Sequence, residues 1–196
     1  MSLDQPTRHL RRGPSRGVAA AAALVLAVAG LTVASPAHAE PLPINDGFDG
    51  DPASRWTVST VPGITNVFLG NDARYARPGS GTGVALLGAY PGAPATATIS
   101  RTIFPDTAGP RNVRVRVYVR RFINEGEKDP SVQVMMRVRQ GTRNGQIISN
   151  MGRAVVTTAN WELHTFHPAR PTGAFTVEIA AYLGTAIIDD VQIGVG

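Results

Sequence analysis

Two segments in which every second residue is apolar constrain this chain more than any other feature. In "NVRVRVYVR", Val113, Val115, Val117 and Val119 alternate with Arg114, Arg116, Tyr118 and Arg120. In "SVQVMMRVR", Val132, Val134, Met136 and Val138 alternate with Gln133, Met135, Arg137 and Arg139. Successive side chains of a β-strand point to opposite faces, so each segment predicts a strand with one buried and one wet face. "FTVEIAAYL" repeats the pattern, with Phe175, Val177, Ile179, Ala181 and Leu183 inward and Glu178, Ala180 and Tyr182 outward.

Helical periodicity is almost absent elsewhere. Short β-rich runs alternate with Gly, Pro, Asn and Asp clusters, which predicts an all-β antiparallel sandwich. Strands are expected near 56–60, 65–69, 83–87, 95–104, 112–122, 131–140, 146–148, 153–158, 162–167, 175–183 and 186–193. "ARPGSGTG" and "GAYPGAP" read as turns, and "INEGEKDP" suits a hairpin between the two valine strands.

The first 39 residues read as a leader. Arg8, Arg11, Arg12 and Arg16 precede an apolar run from Val18 to Val33, and Ala37-His38-Ala39 fits a small-x-small cleavage site. The run is short for a membrane span, which needs about 20 apolar residues. Residues 1–39 are thus expected to be a signal peptide and 40–196 one secreted, extracellular domain with no further membrane contact. Four of the 19 basic residues and one of the 14 acidic ones lie in the leader, leaving 15 basic and 13 acidic residues, a net of +2. That balance argues against a nucleic-acid partner. Cysteine is absent, so the exported domain must be held by its core or by a bound metal.

In order, "INDGFDGDPASRWTV", "GSGTGVALLG", "ATATISRTI", "NWELHTFHP" and "AIIDDVQI" resemble the family 4, 9 and 22 carbohydrate-binding modules, β-jelly rolls of the galactose-binding-like fold. The likeness spans nearly all of residues 40–196. It implies a non-catalytic domain that recognises a polysaccharide or other glycan, expected here as a monomer. It also implies a structural calcium between the N-terminal segment and the last strand. Asp49 matches the N-terminal acidic position, and Asp189 or Asp190 the C-terminal one. Strand alternation sets Asp189 and Asp190 on opposite faces, so one of the two is expected to bind the ion, with oxygen ligands throughout.

If the two valine strands pair, their polar backs form one face. Arg116, Tyr118, Gln133 and Arg137, with Tyr182 beside them, are the candidate ligand-binding residues; Arg and Gln supply planar donors and Tyr a stacking surface. Tyr75 and Tyr90 are alternative platforms on loops, while Trp56 and Trp161 fall where the family keeps core residues. An enzyme is disfavoured. His164 and His167, three apart on a strand, point to opposite faces; "PGSGTG" lacks the context of a phosphate loop, no G-x-S-x-G elbow occurs, and no carboxylates pair convincingly as in a glycosidase. A protein-interaction module and a small glycan-active enzyme are the alternatives. Export is checked by mass spectrometry of the secreted protein. Its first residue is expected to be Glu40, and a retained Met1–Ala39 segment contradicts the leader.

Overall fold

A computed structural model describes residue 39 and residues 41–89, 96–106, 109–123 and 131–195. The leader, Tyr90 and most of the 123–130 connection lie outside the described residues. Among the described residues there are eleven strands: β1 Ile44–Asp46, β2 Thr57–Ser59, β3 Thr65–Asn71, β4 Gly83–Ala89, β5 Ala97–Ile103, β6 Val113–Arg121, β7 Val132–Gln140, β8 Ile147–Val156, β9 Glu162–Thr165, β10 Phe175–Tyr182 and β11 Gly184–Val195. The helical element among the described residues is a 3-10 turn, Pro52–Ser54.

The strands form two antiparallel sheets. One runs β3-β4-β11-β6-β9, and β1 also pairs with β11; the other runs β2-β5-β10-β7-β8. This is the expected all-β sandwich. Its core is filled from both sheets by the apolar positions of the alternating strands. Val113, Val115, Val117 and Val119 of β6, and Val132, Val134, Met136 and Val138 of β7, are all fully buried.

The pairing of β6 with β7 is a correction. β6 pairs with β11 and β9, whereas β7 pairs with β10 and β8. The two valine strands lie in different sheets and share one hydrophobic core. Burying both valine faces removes far more apolar surface from water than a two-strand ribbon would, because a ribbon covers neither face.

β8 is one strand where the sequence suggests two short ones. It continues through Gly152, at φ 122°, with register shifts against β7 between Met136 and Arg137 and between Val138 and Arg139. β11 also departs from simple alternation. Ala186 and Ile188 face the core, and then Val191 and Ile193 do. The shift of phase is a bulge between Asp189 and Gln192, with Asp190 at φ 47°, a left-handed conformation that Asp tolerates better than most residues.

One buried charge ties the N-terminal segment to the sandwich. Asp46 accepts hydrogen bonds from Phe48 N–H (2.9 Å), Arg55 Nε (3.0 Å) and Nη2 (3.1 Å), the Trp56 indole N–H (2.9 Å) and Arg101 Nη1. Arg101 sits on the inward side of β5 with its side chain 7 % exposed, and Trp56 packs on Phe48 with ring centroids 5.5 Å apart. Removing one partner of a buried ion pair costs about 3–5 kcal/mol. Asp46→Ala is therefore expected to lower stability by about that amount in urea unfolding, while Arg74→Ala, on an exposed pair with Asp72, leaves the midpoint nearly unchanged. Equal midpoints for Asp46→Ala and the parent contradict the assignment.

Candidate functional site

The outer face of the β2-β5-β10-β7-β8 sheet is polar and internally organised. Glu178 of β10 stands opposite Ser100 of β5 on one side and Arg137 of β7 on the other. It accepts hydrogen bonds from Arg137 Nη1 (3.1 Å) and Arg139 Nε (2.9 Å). Its own side chain is only 12 % exposed, so the two guanidinium groups supply the partners that burial of a carboxylate requires.

Beside this triad lies a groove of about 240 Å3, lined by Ser59, Thr98, Ser100, Arg139, Arg143, Asn144 and Glu178. Short hydroxyl side chains make its floor, and the β7–β8 turn makes its wall. The turn is tight because Gly145 N–H bonds Thr142 O at 2.8 Å, and a Cβ on Gly145 would lie 1.7 Å from Gln140 O. Tyr182 stands opposite Gln133 on the same face. Arg153 of β8 donates to Gln133 Oε1 at 2.8 Å, with its guanidinium 5.7 Å from the Tyr182 ring centre.

Three of the five expected ligand-binding residues, Gln133, Arg137 and Tyr182, are thus on one face. Arg116 and Tyr118 are not with them. They lie on the outer face of the opposite sheet, because β6 and β7 both turn their valines into the common core and so their polar backs apart. Tyr118 is also no open platform. The Arg77 guanidinium lies 4.3 Å from its ring centre.

Arg77 belongs to the connection between β3 and β4, which is fastened to the sheet by the two aspartates of β11. Asp189, fully buried, accepts the Arg77 N–H (2.8 Å) and the Ser80 hydroxyl (2.6 Å) on Oδ2, and the Asp190 N–H (2.7 Å) on Oδ1. Burial pushes its carboxyl above the usual aspartate range, and those hydrogen bonds oppose the shift. Asp190 binds the Arg77 side chain through Oδ2, with Nε at 2.7 Å and Nη2 also in contact. With both its oxygens engaged by protein donors, Asp189 anchors the connection to the last strand.

Asp49 and Asp190 do converge. Asp49 Oδ1 accepts the N–H groups of Thr82 (2.9 Å) and Gly83 (2.8 Å). Only glycine fits at 83, since a Cβ there would lie 2.1 Å from the carbonyl carbon of Phe48. The other oxygens meet over Gly47. A Cβ on Gly47 would be 3.2 Å from Ser80 O, 3.3 Å from Asp190 Oδ1 and 3.4 Å from Asp49 Oδ2. Two carboxylate oxygens and a carbonyl surround one small cradle, a hard-oxygen set of the kind calcium takes. No group of three or more His, Cys, Asp or Glu side chains gathers among the described residues.

The aromatic candidates divide. Trp56 is a core residue, 2 % exposed. Trp161 is half-buried under Arg120, 5.1 Å from its ring centre. Tyr75 packs edge-on to Phe122 at 5.4 Å. His164 is 3.3 Å from Glu162, and His167 is exposed. The groove residues Ser59, Thr98, Ser100 and Asn144 carry no sequence signal, since small polar residues on a strand or turn are ordinary; the register alone assembles them.

No protein-family model matches the chain, and no curated protein matches it. Solved structures do. The C-terminal family 22 carbohydrate-binding module of Clostridium thermocellum Xyn10B is 18 % identical with a TM-score of 0.55, over 78 % of this chain and 91 % of that one. The CBM22-1 xylan-binding domain of Paenibacillus barcinonensis Xyn10C is 14 % identical with a TM-score of 0.53, over 78 % and 92 %. The K2 cleaved adhesin domain of Lys-gingipain is 14 % identical with a TM-score of 0.54, over 77 % and 98 %. The chain spans 20 % of a bacteriophage CBA120 tailspike protein and 28 % of a Clostridium thermocellum xylanase that joins a CBM22-1 module to a GH10 module. The likenesses to the two family 22 modules and the adhesin domain show the fold alone, a β-sandwich shared with them.

Proposed function

We propose that the domain is an exported, non-catalytic carbohydrate-binding module whose polysaccharide lies across the outer face of the β2-β5-β10-β7-β8 sheet. The groove beside Glu178 carries this reading. Sugar hydroxyls both donate and accept, and the groove offers both partners. Ser59, Thr98 and Ser100 supply hydroxyls, Asn144 an amide, and Arg139 and Arg143 guanidinium donors. Tyr182 adds the apolar ring surface on this face. The carboxylate in the groove, Glu178, is held by two arginines, an arrangement suited to fixing donors rather than to moving protons. A second reading, a protein-interaction module, draws on Ile147, Ile148 and Val155 of the edge strand β8, which are 38 %, 37 % and 54 % exposed.

Thr98→Trp fills the groove without touching the core. In titrations against xylan and other polysaccharides, it is expected to weaken binding at least about tenfold, which is the loss of some 1.4 kcal/mol of hydrogen bonding, with an unchanged melting temperature. Tyr182→Ala is expected to weaken it less. Undiminished binding by Thr98→Trp removes the ligand from this face. Failure of every glycan, with capture of a protein through the β8 edge, favours the second reading.

The same proposal includes a structural calcium held by Asp49, Asp190 and the Ser80 carbonyl, with water completing its shell. An ion there would join the N-terminal segment, the β3–β4 connection and the last strand. A ligand that binds only the native state stabilises it by mass action. Calcium is expected to raise the melting temperature of chelator-treated protein, Asp190→Asn to blunt that rise, and Asp106→Asn to leave it intact. A melt indifferent to calcium and chelator removes the ion.

A further inference from the structure

The opposite outer face, of β1, β11, β6 and β9, carries a row of polar side chains that nothing in the fold uses. Asn45 of β1 stands opposite Gln192 of β11, Gln192 opposite Arg116 of β6, and Arg116 opposite Thr165 of β9. Neighbouring strands are about 4.8 Å apart, so the row crosses about 14 Å of sheet. Asn45, Arg116 and Thr165 are exposed and Gln192 is half-exposed. Arg114, two residues from Arg116 on the same face, stands opposite Gly194, which has no side chain to cover it.

None of these side chains makes a hydrogen bond or ion pair within the described residues. The other outer face behaves differently, since Arg137, Arg139 and Arg153 are all bonded there. Carboxylates near the row are already engaged: Asp190 by Arg77, and Asp189 by Ser80 and backbone N–H groups. Glu162 shares the inward side of its strand with His164, opposite Val119 and Val117. Arg114 and Arg116 thus present uncompensated positive charge about 7 Å apart along the strand, flanked by two amides and a hydroxyl.

We propose that this row is a second binding face, for a carboxylate-bearing polysaccharide. A guanidinium pairs a carboxylate through two parallel N–H donors, while the amides and Thr165 suit sugar hydroxyls. A flat row across four strands fits an extended polymer better than a small anion, which needs a pocket. The two faces lie on opposite sheets, so the domain can hold two chains at once, and this proposal does not depend on the groove.

The test titrates residues 40–196 with polygalacturonate, its fully methyl-esterified form, dextran sulfate and anionic phospholipid vesicles. Polygalacturonate is expected to bind more tightly than the esterified polymer, with affinity falling as salt rises. The double variant Arg114→Gln, Arg116→Gln is expected to lose about tenfold in affinity, the sum of two exposed ion pairs, at an unchanged melting temperature. Arg74→Gln, which alters an arginine paired with Asp72 in the β3–β4 connection, is expected to bind polygalacturonate like the parent. Equal binding by the double variant and the parent overturns the proposal, as does equal binding of the two polygalacturonate forms. Loss on Thr98→Trp alone assigns the polymer to the groove. Binding of vesicles or dextran sulfate without polygalacturonate assigns the row to a membrane or to sulfate groups instead.

Discussion

Everything distinctive about this domain follows from two valine faces buried in one shared core. β6 and β7 are consecutive strands, yet they send Val113, Val115, Val117 and Val119, and Val132, Val134, Met136 and Val138, into one shared core from opposite sheets. At about 25 cal/mol per Å2 of apolar surface, this is the dominant favourable term available to a chain without cysteine. Once both faces are buried in that core, the arginine-rich backs must lie on opposite outer faces. One becomes part of a groove organised around Glu178, and the other an open row centred on Arg116.

The last strand supplies the second constraint. β11 pairs with β6 along one edge, and with β4 and then β1 along the other. Its bulge places Asp189 under the β3–β4 connection and turns Asp190 toward Asp49. Adjacent carboxylates in a buried strand look costly in isolation. Each is offset by specific donors: two backbone N–H groups and a hydroxyl for Asp189, and the Arg77 guanidinium for Asp190. The connection held in this way covers Tyr118, and Gly81 and Gly83 let the backbone of residues 47–49 pass close enough for Asp49 to hold it from the other side.

Much of the fold is legible in the sequence because alternation reports burial directly. The inward sets of β6 and β7 are those read from the pattern, and so is that of β10 except for Leu183, which lies past the strand end at φ 66° and is half-buried. Alternation is silent about neighbours, however, so the connection at 123–130 reads as a hairpin when it joins two sheets. β1 is missed because its three residues, Ile44–Asp46, carry a single apolar side chain between Pro43 and Gly47. The expectation that Asp189 and Asp190 point to opposite faces assumes an unbroken pleat, and a bulge has no composition signal beyond an Asp that accepts positive φ. In the candidate site, the charged and aromatic residues of β7 and β10 are legible. The hydroxyl floor is not, since Ser59, Thr98 and Ser100 come together only through the register of β2 with β5.

The central claim, that glycan lies on the β2-β5-β10-β7-β8 face, is tested most directly by amide chemical-shift mapping of residues 40–196 with a panel of oligosaccharides. Shifts are expected to cluster at Ser59, Thr98, Ser100, Arg139, Asn144 and Glu178, with the core valines of β6 unmoved. Shifts confined to the connections around Tyr75, or absent with every neutral and acidic oligosaccharide, would contradict it.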